Sequence, residues 1–143
     1  MLDTNVLSEL MRDNPDTQVL AWFAGQGAKL MKTSAITQAE IGAGIALLPA
    51  GKRRDALARA ASQLFEEDFQ GRCLDFGAHA AEHYAQVRAQ RQRAGRPIST
   101  EDAQIAAIAL AAQLQLVTRN TKDFEEIDGL EVVNPWQPTL IGL

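Results

Sequence analysis

The sequence holds a single cysteine, Cys73, among its 143 residues. One thiol excludes an internal disulfide and fits a reducing compartment. Long apolar runs are missing as well, and no stretch approaches the ~20 residues that a membrane-spanning helix needs. No secretory leader can be read at the opening, because Asp3 and Glu9 interrupt it. Positive charge is not in excess. The net charge is −4, so the total does not indicate a strongly basic nucleic-acid binder. Repeats, linkers and low-complexity segments are absent. What remains is 46% hydrophobic and 22% charged, an ordinary globular balance, at one domain's length. A chain of this size buries ~70% of its unfolded surface. The expectation is one cytoplasmic domain spanning residues 1–143, with no membrane association.

Apolar periodicity alternates with short apolar runs along the chain. Leu2 ends a first strand, and Val6 to Met11 begins a helix closed by Asp13-Asn14-Pro15. Asp16 caps a second helix, with Val19, Leu20 and Phe23 on its apolar side. Lys29 to Thr33 reads as a strand, followed by an apolar helix through Ile41 and Ile45 that stops at Pro49 and Gly51. Lys52 to Phe69 reads as one long helix, Cys73 to Phe76 as a strand, and Ala78 to Ala94 as a helix. After Gly95-Arg96-Pro97, Ser99 opens a helix that is apolar nearly all round and therefore buried. Leu114 to Thr118 and Glu131 to Val133 are the last strands, with a polar turn at Arg119 to Asp123 and a helical turn at Phe124 to Glu126. Strands alternating with helices predict an α/β fold, a parallel sheet with helices on both faces.

On that scheme the acids gather. Asp3 follows the first strand. Glu40 and Asp102 lie in the first turns of helices, and Asn120 and Asp123 follow a later strand. Strand C-termini and the helix N-termini after them share one edge of a parallel sheet. Carboxylates crowded together raise one another's pKa unless a cation compensates. All-oxygen ligands favour Mg²⁺ or Mn²⁺, which polarise a phosphoryl oxygen and acidify water, as phosphodiester hydrolysis requires. The same residues also fit plainer roles. Asp3 is a good helix cap, Thr37-x-x-Glu40 and Ser99-x-x-Asp102 match the capping box, and Asn120 and Asp123 suit a turn.

Two other patterns compete. His79-Ala80-Ala81-Glu82-His83 fits the H-x-x-E-H arrangement of inverted zinc peptidases, yet no third ligand is indicated. With Gln86 and Gln90 these residues also make the polar side of a helix whose other side carries Tyr84 and Val87. Basic residues form two groups, Lys52, Arg53, Arg54 and Arg59, then Arg88, Arg91, Arg93 and Arg96. The first group opens a helix, where positive charge opposes the dipole, and phosphate contact would explain it. A solvated face explains it as well.

Several stretches together resemble the PIN-domain toxins of the VapC/FitB type. They are Leu2-Asp3-Thr4-Asn5-Val6-Leu7-Ser8-Glu9, Ser34 to Ile45, Asp102 to Ala109, Thr118-Arg119-Asn120-Thr121-Lys122-Asp123-Phe124 and Asn134-Pro135-Trp136. The resemblance covers essentially the whole chain. It implies a central five-stranded parallel sheet between helices and a Mg²⁺- or Mn²⁺-dependent endoribonuclease of a type II toxin–antitoxin module. By that resemblance Asp3 and Asp102 are the principal metal ligands, and Glu40 completes the cluster directly or through water. The family often has an acid where this chain has Asn120, with another three residues on, so the fourth position falls to Asn120 or Asp123. Asn5 and Thr4 support the site. Lys52, Arg53, Arg54, Arg93 and Arg96 would contact RNA. The implied partners are an RNA substrate (tRNA or ribosomal RNA), a cognate antitoxin that brings operator DNA, and a second copy in a homodimer. Only two residues precede Asp3, fewer than the pattern has, so one or more preceding residues are expected. Two other classes stand beside this reading: a PIN-fold binding module without turnover, and a phosphatase using Asp3 as nucleophile.

Overall fold

In a computed structural model of the chain, residues 1–27 and 31–137 are described. Among them the order is α1 (Thr4–Leu10), α2 (Thr17–Ala24), β1 (Thr33–Ser34), α3 (Ala35–Ala46), α4 (Lys52–Ser62), β2 (Cys73–Leu74), α5 (Ala78–Arg93), α6 (Thr100–Ala111), β3 (Leu116–Val117) and β4 (Val132–Val133). A π-helical turn, Gln63–Asp68, extends α4, and a 3₁₀ turn, Thr121–Phe124, follows β3. The long helix expected over Lys52 to Phe69 therefore changes pitch at Gln63. The Phe69 N–H reaches the Leu64 carbonyl, five residues back, at 2.8 Å.

All strand pairings among the described residues are parallel. β1 pairs with β2 and β3 with β4, and one bridge joins Leu2 to Val117. The Leu2 N–H donates to the Lys32 carbonyl at 2.7 Å and the Asp3 N–H to the Val117 carbonyl at 2.9 Å, so the opening segment lies between the two ladders. These are short ladders rather than the long strands expected. The first segment adds a single bridge because the chain turns into α1 directly after Asp3. Of the strand expected over Lys29 to Thr33, Lys29 and Leu30 lie outside the described residues. The strand expected from Leu114 begins at Leu116, because Leu114 belongs to the end of α6. Its N–H bonds the Ala109 carbonyl, and Gln113, at φ 56°, bonds the Leu110 carbonyl. That is a Schellman ending in which Gln takes the left-handed position usually given to Gly.

Alternation along the strands separates two cores. Met1 and Leu116 point to one, with Ala80, Val87 and the buried residues of α6. Leu2 and Val117 point to the other, with Val6, Leu7, Ile41 and Phe69. Helices therefore cover both faces. Burying Leu2 completely contributes about 1.5–3 kcal/mol. As the sequence predicts, α6 is buried nearly all round, at Ala103 and from Ile105 to Ala109. Leu20, expected on the apolar side of α2, is instead 44% exposed, and Val19 is the residue buried there.

Arg91 closes the end of α5. It is 4% exposed. Its Nε donates to the Arg96 carbonyl at 2.7 Å, and its Nη1 donates to the carbonyls of Asp123 and Glu125 at 2.6 and 3.2 Å. A buried cation thus ties the segment after β3 to the helix. Arg91→Met should lower stability by about 2 kcal/mol, because buried carbonyls lose their donors and packing is kept. Urea unfolding measures this, and an unchanged midpoint would show that the tie is dispensable.

Candidate active site

Parallel register sets the site. Leu2 pairs with Val117, so the next residues, Asp3 and Thr118, leave the sheet side by side. Asp3 is buried and caps α1. Its Oδ1 accepts the Thr4 N–H at 2.8 Å. Its Oδ2 accepts the Thr118 hydroxyl at 2.7 Å and the Asn5 side-chain amide at 3.1 Å. Burial pushes the Asp3 pKa up, and these three hydrogen bonds pull against that shift. Asp3 therefore caps the helix and still presents a carboxylate on the sheet edge.

Asn5 ties the start of α1 to the segment after β3. Its amide also donates to the Thr118 hydroxyl, and its carbonyl accepts the Arg119 N–H at 3.0 Å. Thr4 reaches the other way, with its hydroxyl 3.1 Å from Glu40 Oε1 and 3.2 Å from Thr37 Oγ1.

Glu40 comes from α3. The capping box expected at Thr37-x-x-Glu40 does not form. Ser34 caps α3 by accepting the Thr37 N–H, so Thr37 is buried inside the helix and Glu40 falls in its second turn. Burial raises the Glu40 pKa, and the charges of Asp3 and Glu101 add to the rise. Asp102 is third from the cap of α6. Ser99 Oγ accepts its N–H at 3.1 Å. The Asp102 pKa is pushed from near 3.8 to about 6, mainly by burial, then by the charge of Asp3, with smaller contributions from Asp123 and Glu40. A helix N-terminus favours the carboxylate by about 0.3–1 kcal/mol. Here burial and like charge outweigh it.

The charge of Asp3 thus reaches Glu40 and Asp102, and that of Asp123 reaches Asp3 and Asp102, across the edge on which their sequence positions place them. As the side chains stand, no group of three or more His, Cys, Asp or Glu among the described residues is arranged to hold a metal ion. Asn120 and Asp123 lie beside the acids on the exposed segment around the 3₁₀ turn. A cleft of about 710 Å³ opens there, lined by Gln18, Arg119, Asn120, Lys122, Asp123 and Trp136 among others.

The other candidates lie elsewhere. Arg53 lines a separate groove with Met11 and Leu57, and Arg93 one with His83 and Gln90. Lys52 and Arg54 stay with Arg53 on α4. Arg96 is paired with Glu125 at 2.9 Å. Arg91 is occupied by backbone carbonyls. The His79–Glu82 contact is 3.9 Å on an open helix face, as the solvated reading of that motif expects.

Sequence reasoning did not single out Thr118 or Glu101. Thr118 carried a signal, because it follows an apolar run whose neighbour in a parallel sheet ends at Asp3. No helix among the described residues is long and apolar enough to cross a membrane.

Known proteins are similar to this chain over nearly its whole length. The VapC ribonuclease Y4jK of Sinorhizobium fredii is 41% identical over 138 residues, covering 96% of this chain and 98% of that protein. Toxin FitB of Neisseria gonorrhoeae is 39% identical over 136 residues, covering 95% and 97%. The structure of FitAB bound to an IR36 DNA fragment superposes with a TM-score of 0.90 at 37% identity, over 99% of this chain and 98% of that one. The family model for the PIN domain matches residues 1–130. With its parallel α/β core and its acids gathered on one edge, the chain belongs to the PIN domain family.

Proposed function

We propose that this protein is the toxin component of a type II toxin–antitoxin module, an endoribonuclease that uses Mg²⁺ or Mn²⁺ to hydrolyse RNA phosphodiester bonds. The observation that carries the reading is the gathering of Asp3, Glu40 and Asp102 on one edge of the sheet, near enough that the charge of Asp3 raises the pKa of both others. Three carboxylates gathered on one edge form an all-oxygen set with surplus negative charge, which suits a hard divalent cation. Asp3 and Asp102 are the principal ligands, and Glu40 joins them directly or through water. A bound cation supplies Lewis acidity and neutralises phosphate charge.

The chain's own groups do the rest. Thr118 and Asn5 fix the Asp3 carboxylate by hydrogen bonds, and Thr4 holds Glu40. Asp123 fills the fourth acidic place, since its charge reaches both Asp3 and Asp102, and Asn120 lines the mouth beside it. The scheme includes a five-stranded sheet built by joining both ladders through the opening segment. It also includes a homodimer, a cytoplasmic location, a tRNA or ribosomal RNA substrate, and an antitoxin that alone contacts operator DNA. The sequence likeness to a VapC ribonuclease and to toxin FitB supports this scheme.

The test is cleavage of a mixed tRNA and ribosomal RNA pool by the antitoxin-free protein. Cuts should appear with Mn²⁺ or Mg²⁺, vanish with EDTA and return when metal is restored. Cleavage indifferent to EDTA would refute the metal role. No cleavage together with no Mn²⁺ binding by calorimetry would refute the enzyme.

A further inference from the structure

We propose that the cleft beside the acids is a nucleotide subsite, which takes the unpaired base and adjoining phosphate of single-stranded RNA next to the bond that is cut. The inference rests on the ribonuclease reading. Its volume of about 710 Å³ lies within the ~300–1,000 Å³ of small-molecule sites. On one wall the Arg119 guanidinium lies 4.9 Å from the Trp136 ring centroid. The indole supports the guanidinium from one side, and bases stack on guanidinium planes, so the outer face of Arg119 offers a stacking surface.

The charges around the cleft point the same way. Arg119 and Lys122 both line the cleft, and neither has a carboxylate within ion-pair distance among the described residues. Two unneutralised cations beside a carboxylate cluster, in a chain of net charge −4, mark a place for a phosphate.

Amide groups complete the lining, from Gln18, Asn134 and Gln137. The Asn134 side-chain carbonyl accepts the Trp136 backbone N–H at 2.9 Å, which fixes the turn that carries the indole and leaves the Asn134 amide hydrogens for a base edge. Asn120 and Asp123 belong to both the cleft and the acidic edge, and Asn5 anchors the Arg119 backbone. A nucleotide seated here leads directly into the acids.

The test is binding of a fluorescein-labelled, mixed-sequence single-stranded oligoribonucleotide to the full chain carrying Asp102→Asn, in EDTA so that nothing is cut. Arg119→Ala on that background should weaken binding about ten-fold. Lys122→Ala should lower the salt-dependence slope by about one. The same sequence as a duplex should bind less tightly than the single strand. Trp136 packs against the core, so Trp136→Phe is only a supporting variant, and exposed Arg119 carries the decision.

Unchanged binding in both Arg119→Ala and Lys122→Ala would overturn the subsite, as would a parent chain that does not bind the oligonucleotide. Loss of antitoxin capture with RNA binding intact would make the cleft a protein seat and overturn it too. Wild-type cleavage with Mn²⁺, run in parallel, separates the two readings. Cleavage with unchanged RNA binding refutes only the subsite. Weakened RNA binding together with no wild-type cleavage and no Mn²⁺ binding refutes only the nuclease.

Discussion

Replacing Asp102 with Asn is expected to remove RNA cleavage while making the protein harder to unfold. The carboxylate is a principal ligand in the proposed mechanism, and losing several kcal/mol of transition-state stabilisation slows a reaction by on the order of 10³. The stability gain has a separate cause. The folded protein holds the Asp102 pKa at about 6, above its ordinary value near 3.8, because burial and the charges of Asp3, Asp123 and Glu40 disfavour the ionised form. A pKa raised on folding means the native state binds more protons than the unfolded chain. The favourable contribution is then fully present below about pH 4 and is lost as pH rises through about 6. At neutral pH the wild type therefore bears a repulsion that the amide lacks. The helix keeps its cap in the mutant, since the bond to Ser99 comes from the backbone N–H of residue 102. Thermal melts at pH 7 and low salt should shift up by a few degrees, about what 1 kcal/mol is worth in a domain of this size. The gap between mutant and wild type should close toward pH 4. A mutant that is inactive and less stable at pH 7 would point to misfolding and remove the support for a ligand role.

Asp3 separates the two jobs of one carboxylate. Asp3→Asn keeps a good cap and an oxygen for the Thr4 N–H, but loses the charge and sets a donor against the Asn5 amide, while the Thr118 hydroxyl can turn to accept. Asp3→Ala loses everything. The cap is worth ~1 kcal/mol, and the Thr118 hydroxyl and Asn5 amide each lose their acceptor at ~1–3 kcal/mol, offset in part by relief of the buried charge. The alanine variant should therefore be less stable by about 3 kcal/mol, or roughly ten degrees, and the asparagine variant by far less. Neither should cleave RNA. Full cleavage by Asp3→Asn with metal dependence intact would end the assignment. Equal melting of the two variants would show that the hydrogen bonds around Asp3 do not order the fold.

The acidic edge was legible because it depends on topology, and topology follows from the alternation of strand and helix patterns. Asp3, Glu40 and Asp102 each stand just after a strand or early in a helix, and parallel strands bring such positions together. Details set by competition were not legible. Both Ser34 and Thr37 are sound helix caps, and burial of Thr37 inside α3 decided between them. The pattern of Lys52 to Phe69 is continuous, so the change of pitch at Gln63 left no trace in it. Arg91 reads as one more basic residue on a polar helix. Only tertiary structure shows it turned inward to carbonyls 32 and 34 residues away in sequence. Thr118 was hidden for another reason, since a threonine after a strand is ordinary until its neighbour across the register is known.

The Arg91 tie has a consequence for how this site can vary. It grips the segment by main-chain oxygens, those of Asp123 and Glu125, and every amino acid carries that atom. Where residue 123 sits is thus independent of what residue 123 is. The fold acts there as a socket, holding a location constant while the fitting changes. The acid at position 123 can be traded for an amide without rebuilding the loop. Chemical tuning of this corner of the site is therefore open to single substitutions.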